Sequence, residues 1–137
     1  VEAILINHLG GLGIAYFLLI YIGGMAIATL PSILKHRDNY GYNSVGASGA
    51  VSAVLFSMIA FAPFSGGIGI LFIPISIPPL VFGVLYLAYE KYMEKRGGTN
   101  IAHDAHIWGA VFGFLFTLLF VPDAFMNFIA ELLDVFS

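Results

Sequence analysis

The sequence predicts an all-α membrane protein, and three observations lead to that prediction. Of the 137 residues, 60% are hydrophobic and only 9% are charged, whereas soluble globular domains carry about a quarter charged residues. Four apolar stretches are close to the length that crosses a bilayer. None of them alternates polar and apolar residues as the strands of a membrane barrel do. A chain of this length cannot bury so much apolar surface in one core, so lipid must solvate much of it.

The first predicted span covers about residues 11–30 and contains no charged residue. Its roughly 20 residues match the ~30 Å hydrocarbon thickness at about 1.5 Å per helical residue. Pro31 is expected to end this helix, because proline lacks a backbone donor and its ring clashes with the preceding turn. The second predicted span covers about residues 45–62, is richer in Gly and Ser, and ends before Pro63.

An uncharged link rich in Gly and Pro, residues 64–77, leads to the third predicted span at about residues 78–92. A proline at that helix start is tolerated because the first helical N–H groups have no intrahelical partner. The fourth predicted span covers about residues 105–121 and ends before Pro122. In the tail beyond it, apolar residues recur at helical spacing with acidic residues on the other side. This pattern predicts a short amphipathic helix on the membrane surface.

Charged residues are concentrated in two of the three predicted connections between spans, which lie on the same side of the membrane. They are Lys35, His36, Arg37 and Asp38 in the first connection, and Lys91, Glu94, Lys95 and Arg96 in the third. The formal net charge is −3 and the basic residues form no stripe, so nucleic-acid binding is not expected. The absence of cysteine excludes disulfides, thiolate metal sites and a cysteine nucleophile.

Polar residues stand at the start of the second and fourth predicted spans, where lipid-facing residues would be apolar. They are Gly46-Ala47-Ser48-Gly49 and His103-Asp104-Ala105-His106. Because both spans start on the same side, Ser48 and His106 are expected at similar depth, about one helical turn inside the same face. Ionisable groups inside a membrane are costly and are therefore candidates for function.

A hydroxyl beside an imidazole is the minimum for nucleophilic acyl transfer, because the imidazole takes the proton as the oxygen attacks a carbonyl. The helix start at Ser48 adds backbone N–H groups that can hold a developing oxyanion. The flanking Gly46 and Gly49 allow a close approach of backbone. Asp104 is two residues from His106 and points to a different helical face, so a Ser–His dyad is predicted rather than a triad.

Small residues predict a close contact between the second and fourth spans, which would bring the two candidates together. They repeat at helical spacing on one face of each span, and such faces allow close helix contact in lipid. The residues are Gly49, Ala53 and Ser57 on the second span, and Gly109 and Gly113, which share a helical face with His106, on the fourth.

Each candidate also has a simpler structural explanation. A serine in a membrane helix is usually a packing or helix-bonding residue, and an interior histidine is more often hydrogen-bonded than catalytic. His103 and His106 are spaced as two metal ligands can be, but Asp104 is the only carboxylate near them in sequence, so no metal is expected. His8 and His36 are expected to be ordinary loop or interface residues.

Two motifs occur together in the chain: Gly-x-Ser-Gly within Asn43–Phe56, and Ala-His-x-x-Gly-x-x-x-Gly within His103–Phe114. This combination, at the start of one span and of the next but one, resembles the rhomboid intramembrane serine proteases over essentially the whole chain. The resemblance implies a compact bundle in which Ser48 is the nucleophile, His106 is the general base and Gly46 belongs to the nucleophile loop with its neighbours. It implies that Gly109 lets the two catalytic helices touch, and it leaves His103 as a rim or loop residue.

The activity that the resemblance implies is hydrolysis of peptide bonds in or near transmembrane segments of membrane-protein substrates, without metal or cofactor. The expected partners are those substrates and the lipid bilayer. The expected location is a bacterial inner membrane, in which the protein would be an integral multi-pass protein. The resemblance implies a site that opens to the non-cytoplasmic side, whereas the positive-inside rule places the basic connections on that side in the cytoplasm.

The chain departs from the family pattern in two places. The family core has six helices, and an earlier one carries a His and an Asn that help to bind the oxyanion; nothing here matches that motif. We therefore expect a single rhomboid-like domain, residues 1–137, that is N-terminally incomplete and depends on upstream helices for activity. The family often has an aromatic residue one turn after the nucleophile, stacked on the catalytic His, but here that position is Ser52.

Two other functions remain open at the level of sequence. A catalytically inactive rhomboid-like module would bind transmembrane helices without cleaving them, but such a module has no chemical reason to keep both Ser48 and His106. A small channel or transporter piece would need polar residues midway along its spans, and the first and fourth spans offer almost none.

Overall fold

A computed structural model describes residues 1–35, 46–70, 73–98 and 102–137. The described part is predominantly helical, as the sequence predicts, with one short antiparallel hairpin. The elements are α1 (Glu2–Leu9), α2 (Leu12–Lys35), α3 (Gly46–Phe61), β1 (Ile68–Ile70), β2 (Ile73–Ile77), α4 (Pro79–Arg96), α5 (His103–Phe120) and α6 (Ala124–Phe136). Helices α2, α3 and α5 pack against one another, and α4 packs mainly on α5.

Helices α3 and α5 run parallel and in register, with almost no side chain between them. A Cβ atom added at Gly109 would overlap the backbone of Gly49, and one added at Gly113 would overlap the backbone of Ala53. One turn further, Ser57 is hydrogen-bonded to Thr117. At each level the partners are 60 residues apart in sequence, so both residue numbers rise together along the interface. The predicted small-residue contact between these two helices is therefore confirmed by the packing.

Helix α2 crosses the other side of α3 in the opposite direction. A Cβ atom at Gly24 would overlap the side chain of Ala53, and one at Gly49 would overlap that of Ala28. Residue numbers thus rise on α2 as they fall on α3, which makes the two helices antiparallel. Gly49 is consequently enclosed by α2 on one side and by α5 on the other, and only glycine fits there.

The contact between α3 and α5 ends in a buried hydroxyl pair. Oγ of Ser57 and Oγ1 of Thr117 are 2.7 Å apart, and Thr117 Oγ1 also lies 2.8 Å from the carbonyl oxygen of Gly113. Both side chains are completely buried. A buried hydroxyl without a partner is costly; here the Thr117 hydroxyl is the donor, and Ser57 Oγ and the Gly113 carbonyl oxygen are both within reach as acceptors.

The predicted spans correspond to α2, α3, α4 and α5, but two of their ends differ. Helix α2 continues through Pro31 to Lys35, so the expectation that Pro31 ends the helix is wrong. Proline interrupts a membrane helix less than a soluble one, because neighbouring helices and Ser or Thr side chains compensate the lost backbone bond. Helix α4 extends to Arg96, so the charged group from Lys91 onward lies on a helix and not in a connection.

Two elements lie where the sequence predicts none. Residues 64–77 contain the β1–β2 hairpin, in which Ile68 pairs with Ile77 and Ile70 with Ile73 around a bulge. Its isoleucines alternate with Gly, Ser and Pro, which is a strand signal that the Gly and Pro content obscures. The first residues form α1, whose Leu5 is fully buried in the core. His36, Arg37 and Asp38, which belong to the first predicted connection, lie outside the described residues.

Within the described residues, two helices are long and apolar enough to cross a membrane: α2, over Leu12–Pro31, and α5. The apolar part of α3, Ala47–Phe61, is shorter. Helix α4 is long enough to cross a membrane, but it carries five charged residues in its second half and is therefore not apolar enough. A helical membrane domain is thus supported, but the prediction of four transmembrane helices is not confirmed.

Helix α6 occupies the tail for which a helix is predicted, and Glu131 attaches it to the segment after α3. The carboxylate of Glu131 accepts hydrogen bonds from the backbone N–H of Phe64 at 3.0 Å and of Ser65 at 3.1 Å, and from the Ser65 hydroxyl at 2.6 Å. Several large apolar side chains of α6 are exposed, among them Met126 and Phe136. Its position on a membrane surface stays a prediction.

The close contact of α3 and α5 predicts that a single methyl group at Gly113 destabilises the protein. We expect Gly113→Ala to lower the free energy of unfolding by about 1–3 kcal/mol, because the new Cβ must push α3 and α5 apart. The measurement is equilibrium or thermal unfolding in detergent. Gly11→Ala is the matched control, since a Cβ there meets nothing within 4 Å, and we expect a change within about 0.5 kcal/mol. Equal stability of both variants would contradict the described packing.

Candidate active site

The first turns of α3 and α5 lie side by side at one end of the bundle. Gly49 contacts Ala105 and Gly109, and their sequence neighbours Ser48 and His106 are both half-buried. In the parallel register, Ser48 lies level with Trp108, which is two residues beyond His106. Ser48 and His106 therefore differ by about 3 Å along the helix axis. The expectation that the two residues share one depth in the bundle agrees with this register.

The nucleophile-loop candidates Gly46, Ala47, Ser48 and Gly49 form the first turn of α3. The first N–H groups of a helix have no intrahelical acceptor, and the helix dipole is positive at this end. A negatively charged oxygen beside Ser48 would therefore find backbone donors. The preceding part of the motif, residues 43–45, lies outside the described residues.

A buried cluster of Glu90, His103 and His106 adjoins this turn. Oε2 of Glu90 lies 2.6 Å from Nδ1 of His103, and Oε1 of Glu90 lies 3.0 Å from Nδ1 of His106. Each carboxylate oxygen thus faces one imidazole. Only 4% of Glu90 and 5% of His103 are exposed to solvent. A carboxylate buried to this degree requires compensation by charge or hydrogen bonds, and His103 supplies a hydrogen bond.

The two contacts of Glu90 differ in geometry. The His103 contact is a short hydrogen bond. The His106 contact is close enough for one, but its angle departs from that of an aligned N–H···O bond, although Nδ1 is shielded from solvent. Catalytic hydrogen bonds are often poorly aligned until substrate is bound. The two imidazole rings meet edge to face, with centroids 6.1 Å apart and planes at 79°.

One expectation about this cluster is wrong, and the predicted Ser–His dyad stays a prediction. His103 is not a rim or loop residue, since it lies buried in the first turn of α5 and shares the carboxylate of Glu90. A carboxylate also accompanies His106, supplied by α4 and not by Asp104. The sequence did contain a signal: Glu90 is an acidic residue inside the third predicted span, and such residues are functional candidates by default.

Around Ser48, a hydrogen-bond chain joins α3 to α4. The hydroxyl of Ser52 donates to the carbonyl oxygen of Ser48 at 3.3 Å and lies 2.9 Å from the hydroxyl of Tyr86. Tyr86 and Glu90 are four residues apart and therefore occupy one face of α4. An aromatic ring thus reaches the level of Ser52 from another helix, although the Ser52 position itself carries none.

The remaining histidine and acidic candidates have ordinary roles or lie elsewhere. His8 is in the last turn of α1, 3.7 Å from the exposed Asp123, which agrees with an interface residue. The carboxylate of Asp104 accepts a hydrogen bond from the N–H of Ala105 at 2.9 Å. His36 lies outside the described residues.

Comparison with known proteins gives one family. The sequence profile of the family described as "Rhomboid domain" matches residues 5–123. That range begins within α1 and ends between α5 and α6, so it includes the whole cluster at the start of α3 and α5. No curated protein and no solved structure matches the chain significantly.

The register of α3 and α5 can be tested by cross-linking, because the chain contains no cysteine of its own. We expect Ser57→Cys/Thr117→Cys to form a disulfide in mild oxidant, since the two hydroxyl oxygens are 2.7 Å apart. The control pair Ser57→Cys/Ala110→Cys should stay reduced, because Ala110 is seven residues away from Thr117, about 10 Å along the axis. A gel shift on reduction measures both. Cross-linking of the control pair alone would mean that α3 and α5 pack in a different register.

Proposed function

Because the chain belongs to the rhomboid family, we propose that it is an intramembrane serine endopeptidase with Ser48 as nucleophile and His106 as general base. Its substrates are membrane proteins, cleaved in or near their transmembrane segments. The observation that carries the proposal is the parallel register of α3 and α5, with Gly49 against Ala105 and Gly109. This contact supports the proposal because Ser48 and His106, at the two helix starts, differ by only about 3 Å along the helix axis.

The proposed reaction proceeds through an acyl-enzyme. Oγ of Ser48 attacks the scissile carbonyl carbon while Nε2 of His106 takes the hydroxyl proton. The backbone N–H groups at the start of α3 hold the oxyanion of the tetrahedral intermediate. The C–N bond then breaks as His106 returns the proton to the leaving amine, and water, activated by the same imidazole, releases the acyl group.

The rival is a catalytically inactive family member that binds transmembrane helices. Such a module needs a groove between helices but no base beside a hydroxyl. The chain retains both residues, and it surrounds His106 with a buried carboxylate and a second imidazole. Since buried ionisable groups are costly in a membrane domain, their retention favours the enzyme.

Labelling with a fluorophosphonate tests the proposed nucleophile directly. We expect the full-length wild-type protein in detergent to be labelled, Ser48→Ala to be unlabelled, and His106→Ala to react at least about 100-fold more slowly because the base is gone. Ser57→Ala is the matched control on the same helix, and it should label like the wild type because Thr117 keeps its bond to Gly113. Labelling of Ser48→Ala, or none of a folded wild type, would reject the proposal and favour the binding module.

A further inference from the structure

We propose that Glu90 is a positioning residue of the catalytic site, whose carboxylate holds the imidazole of His106 with its proton on Nδ1. The site would then be a Ser48–His106–Glu90 triad, with His103 as a second partner of the same carboxylate. This inference rests on the proposed function of Ser48 and His106. It adds a residue from α4 to a site otherwise built from α3 and α5.

The division of the carboxylate between two imidazoles is the first argument. Oε1 of Glu90 faces Nδ1 of His106 at 3.0 Å, and Oε2 faces Nδ1 of His103 at 2.6 Å. The His106 contact is not aligned as a hydrogen bond in the free protein, but Nδ1 is the imidazole nitrogen beside the carboxylate, so the proposal places the proton there. Nε2 is then the atom with the free lone pair, as a general base for Ser48 requires.

Charge compensation is the second argument. A buried carboxylate requires compensation by charge or hydrogen bonds, and the 2.6 Å contact of Oε2 with Nδ1 of His103 supplies a hydrogen-bond partner. Oε1 is then the carboxylate oxygen that lies beside His106.

The role during the reaction follows from this arrangement. When the Ser48 proton moves to Nε2, His106 becomes a cation whose Nδ1–H remains on nitrogen, beside Oε1 of Glu90. The carboxylate stays deprotonated and stabilises that cation, as the acid of a hydrolytic triad does. Loss of the negative charge removes this stabilisation and permits the other tautomer, which has no lone pair toward the serine.

A divalent cation held by the same three side chains is the competing explanation. One ligand atom from each of the three residues lies within 4.8 Å of the others, and imidazole and carboxylate groups are ligands that zinc accepts. The chelator experiment below distinguishes the two explanations.

The decisive measurement compares Glu90→Gln with a matched variant, Glu94→Gln, one turn along the same helix, where the carboxylate pairs with Lys91 at 2.7 Å. The assay is cleavage of a fluorogenic transmembrane peptide by the full-length protein in detergent. For Glu90→Gln we expect kcat to fall by about 100-fold or more with KM within about twofold. Glu90→Asp should recover at least about tenfold of that loss, because it restores the charge. Glu94→Gln should behave like the wild type.

A second measurement needs no variant of Glu90 that could fail to fold. In the wild type with ¹⁵N-labelled histidine, the nitrogen shifts of His106, assigned by their loss in His106→Gln, should report a proton on Nδ1. A proton on Nε2 in the neutral imidazole would overturn the inference.

Failure of this inference can be told from failure of the proposed function. If Ser48→Ala and His106→Ala are inactive but Glu90→Gln keeps the wild-type kcat, Glu90 has no positioning role and the dyad stands. If Ser48→Ala or His106→Ala cleaves like the wild type, the proposed function itself is wrong. Inactivation by a chelator with recovery on adding Zn²⁺ would identify the cluster as a metal site instead and overturn the positioning role.

Discussion

The structure depends on the backbone contact of α3 with its two neighbours at Gly49. With α2 on one side and the start of α5 on the other, no side chain fits at this position. Apolar side chains give little drive for association in lipid, so helices there associate through close packing and hydrogen bonds. The same contact fixes the level of Ser48 against His106. Proton transfer requires about 2.6–3.2 Å between heavy atoms, and a misplacement of about 1 Å can cost 100-fold in rate. Both the helix packing and the proposed proton transfer therefore require that no side chain be added at Gly49.

Stability does not explain why Glu90 is buried. Replacing a buried ion pair by apolar residues of similar volume is often neutral or stabilising. The cluster with His103 and His106 therefore points to a use of the charge. In the proposed triad that use is to select one tautomer of His106 and to stabilise its cation.

The sequence was sufficient for the parts of this structure that depend on local pattern. The apolar stretches gave the four longer helices, and the repeats that include Gly49 and Gly113 gave the α3–α5 contact. The ends of the helices were less predictable. Helix α2 continues past Pro31, because neighbouring helices and polar side chains compensate the backbone hydrogen bond that a proline removes in a membrane helix. The sequence analysis missed Glu90 because its partners, His103 and His106, are not adjacent to it in sequence. Asp104 is adjacent to the site in the chain but on another face, whereas Glu90 reaches it through the docking of α4.

Helix α4 contacts the bundle along both of its halves. In its first half, Gly83 packs against Ile59 and Phe56, beside an apolar pocket of about 220 Å³ that α4 lines together with α3 and α5. Further along, Tyr86 is hydrogen-bonded to Ser52, and Glu90 to His103. The proposed positioning carboxylate belongs to the helix that is least tightly packed on α3 among those near the site. In the proposed triad, a displacement of α4 would change the distance from Glu90 to Nδ1 of His106 and with it the strength of the base. The level of Ser48 against His106 would not change, because the contact of α3 with α5 sets it.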